Sequence, residues 1–326
     1  MRAYERLLNY VKVWTTSDEE STTSPTTARQ FDLAKLLLEE MKGMGIEDAM
    51  MDEYGYVYGH IPATPGYENC TAIGFLAHMD TAPDYSGENV NPQIIENYDG
   101  KDVVLGTSGR TLTVKDFPSL KNMTGKTLIT TDGTTLLGAD DKAGIAEIMT
   151  VAEELLKGDI PHGNVCLAFT TDEEVGSGAC HMDLERFGAP YAYTVDGGPE
   201  GEIQFENFNA ASAEFVIHGV NVHPGEAKDI MVNSMKIAME LQGMLPEQEA
   251  PEHTEGYEGF FHLMEMNGSV EETTMSYLIR EFDAEKYEAR KALMQEITAK
   301  INAKYGEGTV ELKLEDSYRN MREMIE

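Results

Sequence analysis

Four short segments of the sequence place imidazole or carboxylate side chains next to apolar runs. The residues concerned are His78 and Asp80, Asp140 and Asp141, Glu173 and Glu174, and Asp196. Mixed histidine and carboxylate ligands suit zinc, with manganese or cobalt as substitutes. Because the set contains more carboxylates than one ion needs, it also suits two ions about 4 Å apart that assist a hydrolysis.

Each segment taken alone also has a structural interpretation. Asp140 or Asp141 could cap the helix that follows, since aspartate is a favoured N-cap residue and the helix dipole stabilises a carboxylate. His78 could be a hydrogen-bonded residue at a strand end, and Glu173 with Glu174 could form a solvated turn of an acidic chain. The metal interpretation is favoured because all four segments should meet at one sheet edge, where unpaired acids would repel one another without a cation.

The apolar runs predict the strands that would bring these residues together. AIGFLAH (72–78), VCLAFT (165–170) and YAYTVD (191–196) alternate with helical patterns. This arrangement is typical of an α/β fold whose mostly parallel sheet has helices on both faces. In such sheets, functional side chains collect at the carboxyl ends of the strands.

Two amphipathic helices are predicted before the first of these strands. One begins near Tyr4, and the other passes through Phe31 and Met41 and should end at Gly43 or Gly45. Between them, the Ser/Thr/Asp-rich residues 15–30 are predicted to form a surface connection.

From about Ala210 the pattern changes to the order strand, helix, strand, strand, helix, strand. This order matches the ferredoxin-like α+β unit, which can be inserted into a larger α/β domain. We therefore expect two domains of different architecture.

Composition excludes several classes of protein. Of 326 residues, 58 are acidic and 25 basic, giving a formal net charge of −33 that would repel nucleic acid and anionic membranes. The three cysteines have no C-x-x-C spacing, which indicates neither a disulfide framework nor a thiolate zinc site. No signal peptide or apolar span is visible, so we expect a cytoplasmic protein. Phosphate-loop, nucleophile-elbow and dinucleotide motifs are absent from the sequence.

The motifs resemble those of the peptidase T family of tripeptide aminopeptidases, one branch of the two-zinc peptidases and deacylases. The H-x-D (78–80), ADDK (139–142) and DEE (172–174) elements are similar to the broader group, whereas SGENVNPQIIENY (86–98) and TEGYEGF (254–260) resemble peptidase T in particular. The resemblance runs through nearly the whole chain. It implies a zinc-dependent hydrolase that releases the N-terminal residue of a tripeptide.

The resemblance also implies a role for each ligand. Asp140 would bridge two zinc ions, His78 and Asp196 would complete the shell of one ion, and Glu174 would bind the other. None of the eight histidines follows His262. Relatives continue beyond the position of Glu326 and supply a further histidine to the second ion there, so we expect the second site to bind weakly.

Three more acids of these motifs have implied roles. Glu173 would be the general base that takes a proton from the metal-bridging water and passes it to the leaving amine. Asp80 would accept a hydrogen bond from the far nitrogen of His78 and fix its tautomer. Asp141 would serve the backbone, and the peptide bond between Asp140 and Asp141 would be cis.

The resemblance divides the chain into a zinc-peptidase catalytic domain (1–208), a ferredoxin-like lid and dimerisation domain (209–318) and the start of a return to the catalytic domain (319–326). In the lid, His223 would point at the substrate, and Arg280 would hold its terminal carboxylate. A turn role for His223 and an ion pair for Arg280 are the structural alternatives. The lid implies a possible homodimer.

Two alternatives to the tripeptide aminopeptidase remain open. One is another amidohydrolase of the same group, such as a deacylase. The other is a catalytically impaired metal-binding fragment, because a ligand of the second ion is absent from the sequence.

Overall fold

A computed structural model describes residues 1–325. The chain forms two compact units, Met1–Pro199 and Glu200–Glu326. The division into a catalytic domain (1–208) and a lid (209–318) is a statement about roles and stays a prediction.

The first unit is an α/β structure built around a five-stranded sheet. Its helices are α1 (Ala3–Tyr10), α2 (Gln30–Met44), α3 (Ala139–Leu156) and α4 (Leu184–Phe187), with a 3-10 helix at Pro118–Met123. Its strands are β1 (Met50–Met51), β2 (Val57–Ile61), β3 (Ile73–His78), β4 (Gln93–Ile95), β5 (Val103–Val104), β6 (Thr111–Leu112), β7 (Leu128–Thr130), β8 (Val165–Thr170) and β9 (Tyr191–Thr194).

The strand order of the main sheet is β1-β2-β8-β3-β9. β3 is parallel to both β8 and β9, whereas β2 is antiparallel to β1 and β8. The sheet is therefore mixed, and its three parallel strands are the ones predicted to carry the site. Two small antiparallel pairs, β4 with β7 and β5 with β6, lie between the segments of the site in sequence.

Both faces of the main sheet are covered. On one face, side chains of α2 and α3 such as Leu37 and Ile145 pack with Phe169 of β8 in the main core. On the other face, Tyr58 of β2 packs with Phe187 of α4 in a smaller cluster. Every residue of β8 is buried, as its apolar sequence requires of a central strand. The predicted α/β fold with helices on both faces is confirmed.

The two N-terminal helices form as predicted, and α2 ends at Gly45, whose φ of 98° is readily adopted only by glycine. The prediction that residues 15–30 are a surface connection is wrong at both ends of that segment. Its buried polar residues are Thr15, Thr16, Ser17, Thr27 and Gln30. The Ser17 amide donates to the carbonyl of Thr81 (3.1 Å), and the hydroxyl of Thr27 donates to the carbonyl of Thr16 (2.8 Å), so hydrogen bonds compensate for part of this burial.

The second unit has the predicted order of strands and helices. Its elements are β10 (Asn209–His218), α5 (Ser234–Gln242), β11 (Phe260–Gly268), β12 (Glu272–Glu281), α6 (Ala284–Tyr305), β13 (Val310–Tyr318) and α7 (Arg322–Ile325), with 3-10 turns at Pro224–Glu226, Glu247–Glu249 and Pro251–His253. The sheet order is β11-β12-β10-β13, and every pairing is antiparallel. The ferredoxin-like prediction is confirmed.

The core of the second unit lies between one face of this sheet and helices α5 and α6. Phe215 and Tyr277 of the sheet pack there with Met294 and Ile301 of α6. The Asp283 carboxylate caps α6 by accepting from the amide of Lys286 (2.9 Å). Within residues 1–325, no helix combines the length and apolar character needed to cross a membrane.

Candidate metal centre

The parallel pairing of three strands brings the predicted residues to one edge of the first unit. β3 ends at His78, which is paired with Thr170 at the end of β8. Glu173 and Glu174 follow β8 within four residues, and Asp196 comes two residues after β9. Because parallel strands end at the same edge of a sheet, distant parts of the chain converge there.

His78 lies at the centre of the cluster and is almost completely buried. Its Nε2 atom lies 3.0 Å from Oδ1 of Asp140, 3.8 Å from Oε2 of Glu173 and 3.8 Å from Oδ2 of Asp196. Asp140 reaches this position from the start of α3, where its backbone is extended (φ −80°, ψ 112°). One imidazole nitrogen is therefore surrounded by carboxylates from three separate segments.

Two overlapping groups have the geometry of metal ligands. They are His78, Asp140 and Glu174, and His78, Glu173 and Asp196. In each group the potential ligand atoms lie within 4.8 Å of one another. Nitrogen and oxygen atoms at this spacing fit a divalent cation such as zinc. All four predicted ligands belong to these groups, and so does the predicted base, Glu173; which residue serves which ion stays a prediction.

The electrostatics of the cluster indicate an excess of negative charge. Burial lowers the pKa of His78, but the surrounding carboxylates outweigh burial and raise it to about 10. Burial, followed by the charge of Asp140, raises the pKa of Glu174 to about 6. Burial also raises the pKa of Glu173 and of Asp196. A divalent cation at this position would offset the repulsion between these acids.

Asp80 lies behind the cluster and holds the turn that carries the two glutamates. Its carboxylate accepts from the amides of Glu173 (3.0 Å) and Glu174 (3.1 Å). Nδ1 of His78 lies 3.0 Å from the carbonyl oxygen of Asp80 and 3.4 Å from its Oδ1. The backbone of Asp80 is thus nearer to this nitrogen than the predicted carboxylate, because the side chain faces the amides.

Asp141 serves the backbone, as the resemblance implied. Its carboxylate accepts from the amides of Gly144 (3.1 Å) and His78 (3.3 Å). The Asp140–Asp141 peptide bond is cis, and regular helical geometry begins after Asp141. The carboxylate that accepts from the first turn of the helix and the candidate ligand therefore belong to different aspartates, so the two interpretations of this segment are compatible.

The first turn of α3 lies unusually close to the segment that carries Asp196. A Cβ atom at Gly144 would lie 1.9 Å from the carbonyl oxygen of Val195 and 2.4 Å from Oδ1 of Asp141. Only glycine fits at this position without a shift of the backbone.

Two buried groups near the cluster were not predicted from the sequence. Nζ of Lys142 donates to the carbonyl of Val13 (2.8 Å). The carboxylate of Asp172 accepts from Thr26 and Gln30. Both groups lie inside the ADDK and DEE motifs, but their partners are more than 100 positions away, so these contacts could not be predicted from local patterns.

His223 and Arg280 belong to the second unit. The Nδ1 atom of His223 accepts from the amide of Gly225 (3.1 Å) in an exposed turn. Arg280 donates to the carbonyl of Ile279 (3.0 Å), and its guanidinium lies 5.4 Å from the ring centre of Tyr318. Their contact with a substrate stays a prediction.

Family models and solved structures both match the chain. A model described as a peptidase dimerisation domain matches residues 205–309, and one described as M42 glutamyl aminopeptidase matches residues 124–254. The fold is similar to that of aminopeptidase PepT of Bacillus cereus, with a TM-score of 0.75 and 24% identity over 98% of this chain and 76% of that one. A tripeptidase of Staphylococcus aureus gives a TM-score of 0.73 at 22% identity, with the same coverage of both chains.

Much higher identity is found among proteins named peptidase T. The peptidase T of Clostridium novyi is 56% identical over 98% of this chain and 79% of its own length. That of Geobacillus thermodenitrificans is 57% identical over 99% of this chain and 79% of its own length. These matches cover almost all of the chain and therefore include both units. The chain therefore belongs to the peptidase T family of metallopeptidases.

Proposed function

We propose that this protein is a zinc-dependent aminopeptidase that releases the N-terminal residue of tripeptides. The observation that carries the proposal is the convergence of four acids on His78. They are Asp140, Glu173, Glu174 and Asp196. The family names the reaction class, and the donor set favours zinc over calcium or magnesium, which prefer oxygen ligands alone.

The ligands in this proposal are His78, Asp140, Glu174 and Asp196, with Asp140 shared between two ions. Zinc bound there would polarise the peptide carbonyl and lower the pKa of a water molecule. The chain has to hold these ligands at fixed positions. Asp80 contributes by accepting hydrogen bonds from the backbone amides of Glu173 and Glu174.

Glu173 is the general base in this proposal. Its side chain is 51% exposed, so that a substrate and a water molecule can reach it, and its Oε2 atom is 3.8 Å from His78 Nε2. Glu173 would take a proton from the attacking water and deliver it to the nitrogen of the leaving peptide. Burial and the neighbouring acids raise the pKa of Glu173, which favours its accepting that proton.

The second unit would complete the enzyme. The match to a dimerisation domain over residues 205–309 supports a homodimer. His223 and Arg280 would contact the substrate, the arginine through a terminal carboxylate, which a guanidinium can bind with two hydrogen bonds. A cytoplasmic location is consistent with three cysteines that are all free thiols.

The test is to supply the protein with zinc and to measure hydrolysis of Leu-Gly-Gly through the free amine that it releases. We expect activity that a chelator abolishes and zinc restores, and little hydrolysis of N-acetyl-leucine. Elemental analysis of the same sample gives the metal content per chain. Faster hydrolysis of N-acetyl-leucine than of Leu-Gly-Gly would instead identify a deacylase, and a protein that binds metal without hydrolysing either compound would contradict an enzymatic role.

A further inference from the structure

The turn between β8 and the two glutamates contains a third acid with a different environment. Asp172 is 1% exposed, and its φ of 59° lies in the left-handed region that few non-glycine residues adopt. It directly precedes Glu173. Its carboxylate contacts the residues that precede and begin α2.

Neutral donors surround the carboxylate of Asp172. Oδ2 accepts from the amide of Thr26 (2.8 Å), and Oδ1 accepts from the hydroxyl of Thr26 (2.6 Å) and from Nε2 of Gln30 (2.6 Å). The Oε1 atom of Gln30 in turn accepts from the amide of Asp172 (3.1 Å). Gln30 is completely buried and is the first residue of α2, where the helix dipole stabilises a negative charge.

The turn also has backbone hydrogen bonds of its own, which do not involve this carboxylate. Within the turn, the amide of Ser177 donates to the carbonyl of Asp172 (2.8 Å), and the amide of Gly176 donates to the carbonyl of Glu173 (2.7 Å). The hydrogen bonds to Thr26 and Gln30 instead connect the turn to a part of the chain about 140 positions earlier. These hydrogen bonds therefore set the position of the turn within the first unit.

Asp80 also binds this turn, by accepting from the amides of Glu173 and Glu174. The two glutamates therefore follow a backbone fixed between two buried carboxylates. Removing either carboxylate would allow the turn to shift, and a small displacement of a ligand or base lowers metal affinity and rate.

We propose that Asp172 is a positioning residue of the metal centre, which sets the direction of Glu173 and Glu174 by binding their turn to Thr26 and to Gln30 at the start of α2. This inference rests on the proposed function, because it assigns roles to the two glutamates. It concerns residues that touch neither a metal ion nor a substrate.

The experiment is a charge exchange across the contact between residues 172 and 30. In Asp172→Asn, an amide NH₂ replaces one acceptor and faces either the NH₂ of Gln30 or the backbone amide of Thr26. In Gln30→Glu, two carboxylates face each other. The double variant restores complementarity, since Glu at position 30 accepts from both the side chain and the backbone amide of Asn at position 172.

Zinc affinity is measured for the wild type and all three variants by titration of the chelated protein, with tripeptide hydrolysis measured in parallel. Each single variant should lose about 10- to 100-fold in zinc affinity or kcat, as is common for partners of metal ligands, and the double variant should recover most of this loss. Tyr10→Phe is the matched control, because it removes a partly buried hydrogen bond to Glu40 elsewhere in the same unit. It should lower the thermal midpoint and leave zinc affinity unchanged.

Two results would overturn the inference. One is a pair of single variants that bind zinc and hydrolyse the tripeptide as the wild type does. The other is a loss that Tyr10→Phe reproduces at an equal fall in thermal midpoint, since this would show a general effect of stability. If the wild type binds zinc without hydrolysing tripeptides, the proposed function fails, whereas the zinc titrations still decide the role of Asp172.

Discussion

The acids at the sheet edge where the parallel strands end form two rows that differ in exposure and in hydrogen bonding. The front row is Asp140, Glu173, Glu174 and Asp196, and the rear row is Asp80, Asp141 and Asp172. Each rear-row residue is at most 2% exposed and accepts at least one backbone amide. Within residues 1–325, no backbone amide donates to a front-row carboxylate, and the side chains of Asp140 and Glu173 are 70% and 51% exposed.

Neighbouring acids in one motif therefore have different roles. Asp140 and Asp141 are adjacent, as are Asp172 and Glu173, yet each pair is divided between the rows. A carboxylate whose lone pairs are occupied by amides contributes to the fold, whereas one without such partners remains able to bind a cation. The rows should therefore respond differently to the same change from carboxylate to amide.

The largest effect is expected from Glu173→Gln in the front row. The amide cannot accept a proton from water, so kcat for Leu-Gly-Gly should fall by about 10²- to 10⁴-fold, the usual contribution of a general base. Metal content per chain and thermal midpoint should match the wild type. An equally active variant would remove Glu173 from the role of base and from the functional side of the comparison between the rows.

Asp196→Asn should affect metal binding next most strongly. Zinc affinity should fall by more than about 100-fold, because the loss of a ligand should exceed the 10- to 100-fold typical of outer partners. The thermal midpoint of the metal-free variant should stay close to that of the metal-free wild type, since no backbone hydrogen bond is lost. A clear loss of stability without metal would place Asp196 in the rear row instead.

Asp80→Asn makes the same substitution in the rear row and should produce a mixed result. The asparagine NH₂ would face one of the amides of Glu173 and Glu174, and a buried amide without an acceptor costs about 1–3 kcal/mol. Denaturant unfolding of the metal-free variant should show this loss, together with a 10- to 100-fold fall in zinc affinity. A variant that loses zinc affinity while keeping its stability would contradict a backbone role.

The smallest effect is expected at Asp316, an acid whose charge is balanced by cations of the second unit. Hydrogen bonds from Lys291 (2.8 Å) and Tyr287 (2.7 Å) lower its pKa to about 2. Because the folded pKa is below the ordinary value of 3.8, the stabilisation is complete above pH 4 and is lost as the pH falls toward 2.

Asp316→Asn should therefore lower the thermal midpoint at pH 7 and have less effect near pH 2. The loss at pH 7 should be at most about 1 kcal/mol, because the side chain is 45% exposed and solvent screens the pair. Zinc affinity should not change. An equal fall in thermal midpoint at both values of pH would show that Asp316 does not stabilise the protein through its charge.

The sequence predicted those features that depend on local patterns. Apolar runs located β3 and β8, the change of pattern near Ala210 located the ferredoxin-like unit, and the residue types after each strand identified the candidate ligands. Parallel strand ends meet at one edge by topology alone, so His78, Glu173 and Asp196 could be grouped before any distance was known.

Features that depend on contacts between distant segments could not be predicted in this way. The segment 15–30 has the composition of a loop, but Gln30 is buried because its amide matches both the side chain and the backbone of Asp172, 142 positions later. The preference of His78 Nδ1 for the carbonyl of Asp80 likewise depends on the direction of that aspartate side chain. Composition and spacing contain no information on either orientation.

At Gly144, the start of α3 lies in close contact with the segment that follows β9. The missing side chain of Gly144 leaves space for the carbonyl of Val195, next to Asp196, to lie against the first turn of α3. A methyl group at this position would push the segment that carries Asp196 away from the start of the helix that carries Asp140. The spacing between Asp140 and Asp196, two of the proposed ligands, thus depends on a residue that has no ligand atom and that a survey of charged side chains would not include.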